Sequence, residues 1–317
     1  MSRPTVEVVV PTVGRASLQR TLAPLVGRLP VIVVDDRRGP DPPLTMPAQV
    51  RVVRSGGRGP AAARNVGWRA SGADWVAFVD DDVEPLADWV DALLDDLVTC
   101  PDVAGSQGRV TVPVPMGRRL TDWERSTAGL ETAVWATADL AYRRAALAAV
   151  GGFDERFSRA YREDADLGLR LVRAGWRIER GRRRVDHPVR PAPWRQSIRS
   201  QRGNADDVLM RAVHGPGWRA AASVPAGQRP WHLATTACLI GAALPGRWRR
   251  PAALGWLVLT ARFARLRIAP GPHTPREVAT MLVTSAVLPA AAVWHWAGGW
   301  LQLPRLLVRG GPVVPPG

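Results

Sequence analysis

The run Trp75-Val-Ala-Phe-Val79 contains no polar side chain and stops abruptly at Asp80-Asp81-Asp82. An apolar run without alternation has to be covered on both faces, the pattern of a strand in a parallel sheet flanked by helices. Val31-Ile-Val-Val34 has the same character and also ends in carboxylates, Asp35-Asp36. Val6 to Val10, closed by Pro11, and Val50 to Arg54 read as two more strands. Helical stretches separate them: Ser17 to Leu25 with Ser17 placed as its cap, Pro60 to Ala70 opened by Gly59-Pro60, and Leu86 to Val98. This rhythm predicts an α/β sandwich with a mainly parallel sheet. Further along, Val110 to Val114 reads as a strand, Asp139 to Val150 as containing a helix, and Glu163 to Ala174 as an amphipathic helix ended by Gly175.

The chain has 317 residues, 46% of them hydrophobic, which is room for one large domain or one plus an appendage. Cys100 and Cys238 lie far apart and carry no disulfide or zinc spacing, which suits a reducing compartment. The first residues lack a basic stretch followed by an apolar one, so no secretory signal is expected. The net charge of +15 invites a nucleic-acid partner, but its distribution argues against one. All basic residues are Arg. Residues 1–186 hold 27 Arg against 25 acids, whereas residues 187–317 hold 16 against 3, together with eight of the 14 Trp. Three apolar stretches follow in that region, near 231–245, 251–261 and 278–303. The last is long enough to span a bilayer, and its Pro289 and Gly298-Gly299 equally suit an interfacial or buried helix pair. Arg and Trp beside apolar runs suit a membrane surface; a solvated basic helical subdomain is the alternative.

The chemistry gathers at the carboxylates. The carboxyl end of a strand in an open α/β sheet is where ligands bind. Asp80, Asp81 and Asp82 repel one another, and a divalent cation relieves that repulsion. Oxygen ligands with nothing soft nearby select Mg²⁺ or Mn²⁺. The same triplet also reads as an acidic loop on the dipole of the following helix. Gly56 to Asn65 is a glycine-rich turn opening a helix, whose amides with Arg64 can meet phosphate, or which is simply a tight turn. Glu163-Asp164 at a helix start serves either as an N-terminal cap or as a base.

Taken together, Val10-Pro-Thr-Val-Gly14, Val33-Val-Asp-Asp36, Gly59-Pro-Ala-Ala-Ala-Arg-Asn65, Phe78-Val-Asp-Asp-Asp82, Gly151-Gly-Phe-Asp-Glu155 and Glu163-Asp-Ala-Asp-Leu-Gly-Leu-Arg170 resemble, in order and spacing, the bacterial family 2 glycosyltransferases. The resemblance covers about residues 5–190. It implies the GT-A nucleotide-diphospho-sugar transferase fold, a Rossmann-like mixed sheet flanked by helices, followed by a helical, apolar, Arg- and Trp-rich C-terminal region. The expected division is a catalytic domain over 1–205 and a C-terminal region over 206–317. The implied activity is metal-dependent, inverting transfer of a sugar from a nucleotide-diphosphate donor to a hydroxyl acceptor; the membrane-like C-terminal region points to cell-envelope polysaccharide or glycolipid synthesis.

The resemblance also distributes roles. Asp35 matches the carboxylate that reads the base, Thr12 lies in the loop lining base and ribose, and Arg64 matches a basic residue near base and phosphate. Asp80 and Asp82 match the ends of the DxD motif, with Asp80 and Asp81 on the donor and Asp82 on the metal. His187 lies where many such enzymes supply a metal-ligating His, or is an ordinary turn residue before Pro188. Asp164 matches the general base, with Glu163 beside it. Two departures stand out: Arg37-Arg38 replaces the usual Gly-Ser after Asp36, and Asp139 falls in the acceptor-facing segment Trp135 to Tyr142. The expected partners are a nucleotide-sugar donor, a saccharide or lipid-linked acceptor and a membrane surface, without nucleic acid, at the cytoplasmic inner face of the cell membrane. Two other readings compete: a sugar-phosphate nucleotidyltransferase, whose phosphate loop would follow the first strand rather than the third, and a non-enzymatic membrane scaffold, which gives no reason for the clustered carboxylates.

Overall fold

A computed structural model describes residues 4–39 and 41–312. Its chain order is β1 (Val6–Thr12), α1 (Leu18–Leu22), β2 (Val31–Asp35), β3 (Val50–Arg54), α2 (Pro60–Ala70), β4 (Trp75–Val79), β5 (Glu84–Pro85), α3 (Trp89–Asp96) and β6 (Val103–Thr111). After α4 (Asp122–Ala128) come β7 (Asp139–Arg143), α5 (Arg144–Ala149), α6 (Glu163–Arg173) and β8 (Arg177–Asp186). Then follow only helices: α7 (Gln196–Arg199), α8 (Asn204–His214), α9 (Trp218–Ala221), α10 (Arg229–Ala243), α11 (Arg249–Ile268) and α12 (Pro275–Val308). Two compact units result. One comprises the described parts of 1–113, 129–188 and 306–317; the other comprises 114–128 and 189–305. The second unit thus gathers α4, from between β6 and β7, with the C-terminal helices.

The eight strands of the first unit form one sheet in the order β3-β2-β1-β4-β7-β6-β8-β5. β1 pairs in parallel with β2 and β4, and β2 with β3, in keeping with the apolar runs of β2 and β4. β7 runs antiparallel to both β4 and β6, so the sheet is mixed. Its core joins Val9, Ile32, Val76 and Phe78 of the strands to Ala63, Leu147, Phe153 and Leu171 beneath the helices. Close packing is visible at Gly67 of α2, where a Cβ would come within 2.3 Å of Val9.

The structure departs from the sequence reading at three places. Ser17 has helical backbone angles and makes no side-chain cap bond, and α1 is only five residues long. The strand expected over Val110 to Val114 is the end of a longer one, β6, which starts at Val103 and stops at Thr111, while the helix expected within 139–150 is α5, preceded by the strand β7 from Asp139. β8, Arg-Ile-Glu-Arg-Gly-Arg-Arg-Arg-Val-Asp, hides its identity because one of its inward positions is a charge. That charge is Arg183, 1% exposed. Its Nε donates to Asp139 Oδ1 at 2.7 Å, Nη1 to Asp96 Oδ2 at 3.1 Å and to Ser106 Oγ at 2.9 Å. Trp89 Nε1 donates to the other Asp139 oxygen at 2.8 Å. Asp139 is therefore an internal counter-ion tying β7, β8 and α3 together. Burial raises its pKa against the pull of Arg183.

In the second unit, α10 and α11 pack as an antiparallel pair, Gly241 facing Ala252 and Gly255 facing Cys238. Among the described residues α12 is the one helix long and apolar enough to cross a membrane. Pro289 and Pro304 do not interrupt it.

Removing one partner of a buried ion pair leaves an uncompensated charge, at a cost of about 3–5 kcal/mol. Arg183→Met is expected to lose stability on that scale in urea unfolding, and Arg183→Met with Asp139→Leu to lose less than Arg183→Met alone. Equal losses in the two variants would remove the ion pair as the cause.

Candidate active site

The carboxyl ends of β1, β2 and β4 meet the start of β7 and the ends of β6 and β8 along one edge of the sheet. Register fixes this: Thr12 lies beside Asp35, Val79 beside Asp139, and Thr111 beside Asp186. Every site residue expected from the sequence lies at or beside that edge.

Arg64 stands at the centre. It projects from α2 with its side chain 3% exposed and lies over the Phe153 ring, 5.6 Å from the centroid. Nη2 donates to Asp80 Oδ1 at 2.8 Å and Nη1 to Glu163 Oε1 at 2.9 Å, with Asp164 Oδ1 at 3.8 Å. One guanidinium thus faces three carboxyl groups from β4 and α6. Burial pushes Glu163 up to about 8, with the Asp164 charge adding to the effect and Arg64 opposing it. Burial likewise raises Asp80 to about 6 against Arg64, with Asp82 adding to the rise. Glu163 Oε2 is buried without a hydrogen-bond partner. An unpaired buried oxygen is tolerated better on a protonated carboxyl than on a carboxylate.

Asp164 is the open member of the pair, its side chain 26% exposed where Glu163 is 3%. Thr137 holds it, donating from N to Oδ2 at 3.0 Å and from Oγ1 to Oδ1 at 2.8 Å.

The other two aspartates of the triplet look elsewhere. Thr12 Oγ1 donates to Asp81 Oδ2 at 2.6 Å, and Arg15 Nη1 pairs with Asp81 Oδ1. Arg15 also reaches to 3.9 Å from Asp82. Asp82 Oδ1 lies 3.7 Å from His187 Nε2, too far for a hydrogen bond and close enough for both atoms to hold one cation. Among the described residues no group of three or more His, Cys, Asp and Glu is arranged to hold a metal. A two-ligand arrangement still fits Mg²⁺ or Mn²⁺, which take one or two protein ligands and complete their shell with phosphate oxygens and water. The donor set is hard oxygen plus one imidazole, within the range these ions accept.

Asp35 is 3% exposed, and Arg37 grips it at both oxygens: N and Nε donate to Oδ1 at 3.0 and 2.9 Å, and Nη2 to Oδ2 at 2.8 Å. That bond lowers the Asp35 pKa. The glycine-rich turn is held from within. Asp36 accepts from Ser55 Oγ at 2.6 Å and from the amides of Arg58 and Gly59 at 2.9 Å each, so those two amides point at a carboxylate. Asn65 joins α2 to the Gly151–Glu155 segment, donating to Phe153 O at 2.8 Å and Glu155 Oε1 at 2.9 Å and accepting from Phe153 N at 2.9 Å. Gly152 has φ of +76°, and a Cβ there would stand 2.5 Å from the Asn65 carbonyl.

Residues 7–151 match the profile of Glycosyl transferase family 2. The chain is 34% identical over 191 residues to the pre-mycofactocin glycosyltransferases of two Mycobacterium tuberculosis strains, CDC 1551 / Oshkosh and H37Rv. That match covers 55% of this chain and 40% of the relatives' own length. The mannosyltransferase PcManGT from Pyrobaculum calidifontis, solved in complex with GDP-Man and Mn²⁺, aligns over 92% of this chain and 88% of its own, with a TM-score of 0.54 and 18% identity. The fold is GT-A.

Sequence reasoning did not single out Thr137 or Arg15. Each sits far along the chain from the aspartate it holds, 27 residues for Thr137 and 66 for Arg15. The local signal for Thr137 was its place in Trp135 to Tyr142, a segment singled out for Asp139 instead.

Glu163 also gives a pH test. Its pKa is raised in the folded chain, so its stabilising contribution is complete below the unfolded value and is lost as pH rises through about 8. Glu163→Gln removes that loss. Its melting temperature relative to the unsubstituted protein is expected to rise by at least about 2 °C between pH 5 and pH 9. A difference independent of pH would mean that Glu163 is ionised in the fold.

Proposed function

We propose that this protein transfers a glycosyl group from a nucleotide-diphosphate sugar to a hydroxyl acceptor with inversion, and that Asp164 is the base. The observation that carries the reading is the pairing of an open carboxylate, Asp164, fixed by Thr137, with a closed one, Glu163, fixed by Arg64. A general base needs a defined position and access to substrate, and only Asp164 has both. The acceptor hydroxyl gives its proton to Asp164 as its oxygen bonds to the anomeric carbon. The bond from that carbon to the diphosphate oxygen breaks, and the nucleoside diphosphate leaves.

Asp82 and His187 are the residues to hold a divalent cation, which when bound supplies positive charge against the diphosphate. In this reading Thr12 and Asp35 line the base and ribose, and Arg37 has to share Asp35 with the base. Asp80 and Asp81 complete the donor side. Arg64 acts as a positioning group rather than a phosphate ligand, because carboxyl groups already surround it. GDP-Man and Mn²⁺ in PcManGT are of the donor and cofactor class proposed here. The acceptor is a saccharide or a lipid-linked molecule, at the inner face of the cell membrane.

Two substitutions test the assignment. Asp164→Asn keeps the shape and the bond from Thr137 Oγ1 while removing the base, and is expected to lower transfer by a factor of at least about 10² with nucleotide affinity near that of the unsubstituted protein. An active Asp164→Asn protein would end its role as base. Asp82→Ala is expected to abolish the dependence of nucleotide binding on Mn²⁺ in calorimetry while leaving the melting temperature unchanged. Metal-dependent binding that survives in that variant would take Asp82 out of the metal site.

A further inference from the structure

The geometry points to α12 lying flat in an anionic membrane surface, with α10 and α11 beside it, rather than crossing the bilayer. This rests on the membrane association proposed above and specifies its form. Composition alone favours a crossing, since α12 runs 34 residues and its window of highest hydropathy is only 33% buried. The contacts of its inward face argue the other way.

Near one end Arg267 Nη1 donates to Thr284 Oγ1 at 2.8 Å and Ser285 Oγ at 3.1 Å, while Nη2 donates to Asp122 Oδ2 at 2.8 Å. Asp122 opens α4, which also carries Glu124 and Arg125, with Arg118 bonded to Glu124 at 2.6 Å. Near the other end Gly299 lies so close to Ala205 of α8 that a Cβ would stand 2.8 Å from its Cα, and α8 carries Asp206 and Asp207. A crossing needs about 20 residues in hydrocarbon. Any such stretch within 278–303 includes Thr284 and Ser285, and so draws Arg267, Asp122 and the charges of α4 into the bilayer with it. Charges there are costly. An in-plane helix keeps the charged inward face in the protein and spends only its outward face on lipid.

That outward face is suited to it. Val283, Val287, Trp294 and Leu301 are 53%, 47%, 76% and 81% exposed and recur at helical spacing on one side. At the tip of the α10–α11 pair Trp248 is 65% exposed between Arg247 and Arg249. Residues 229–305 hold nine Arg and one acid, Glu277. Arg262 stacks on Trp231 at 4.0 Å and Arg247 on Trp248 at 5.2 Å. Apolar and aromatic side chains with Arg and almost no acids fit the boundary of a bilayer of anionic lipid.

The test uses the full chain with Cys100→Ser and Cys238→Ser, carrying either Arg276→Cys or Arg305→Cys at the two exposed ends of the apolar run. In sealed inside-out membrane vesicles from expressing cells, both cysteines are expected to react equally with an impermeant maleimide added outside. Protection of one until detergent is added would establish a crossing and overturn the in-plane arrangement, leaving membrane association intact. Flotation with vesicles distinguishes failure of the association itself. The purified chain is expected to float with phosphatidylcholine–phosphatidylglycerol vesicles at low salt. Arg249→Gln and Arg250→Gln are each expected to weaken this about fivefold, and Trp294→Ser to weaken it further, with melting temperature as the check on folding. No flotation would overturn the membrane reading, and equal flotation with phosphatidylcholine alone would overturn the preference for anionic lipid.

Discussion

A single buried guanidinium, that of Arg64, organises the carboxyl edge of the sheet. Three carboxyl groups from two distant stretches of chain converge on it, and one positive charge cannot balance three negative ones. The excess is resolved by position: Glu163, closed off, takes the raised pKa, and Asp164, open, is steadied from the other side by Thr137. Two adjacent acids on one helix thereby acquire different environments. The helix enters this arrangement from Arg162 in a left-handed conformation, φ 77°, which brings both acids to the same edge.

The same economy recurs in the sheet. Arg183 satisfies Asp139, Asp96 and Ser106 at a position that an apolar residue would otherwise fill. Its partner Asp139 lies beside Val79, the residue just before the aspartate triplet. The backbone of Asp80 donates to Ala138 O at 3.3 Å. The end of β4, from which Asp80 to Asp82 project, is therefore anchored to a strand that a buried ion pair holds in place.

The parallel half of the sheet was legible because β1, β2 and β4 are apolar runs that end abruptly in polar residues, and both the period and the stop are local features. Asp35, Asp36 and Asp80 to Asp82 stood out as clustered carboxylates for the same reason. β8 was not legible, because its inward Arg183 makes sense only against Asp139 and Asp96, which belong to other elements. The helix within 139–150 was legible, but the strand β7 before it was not, because Ala141 to Ala149 is rich in alanine and nothing local marks the turn from strand to helix at Arg143. The grip of Arg37 on Asp35 was visible only as a departure from the family pattern. Its geometry, two residues apart and bonded at both oxygens, needed the fold.

Sugar transfer from a nucleotide donor at this edge can be measured directly. The most direct measurement incubates the unsubstituted full chain with UDP-, GDP- and dTDP-sugars in turn, with and without Mn²⁺, and scores nucleoside diphosphate release. Release from at least one donor, lost when the metal is chelated, is the predicted result. No release from any donor, together with pyrophosphate formation from a nucleoside triphosphate and a sugar phosphate, would contradict it.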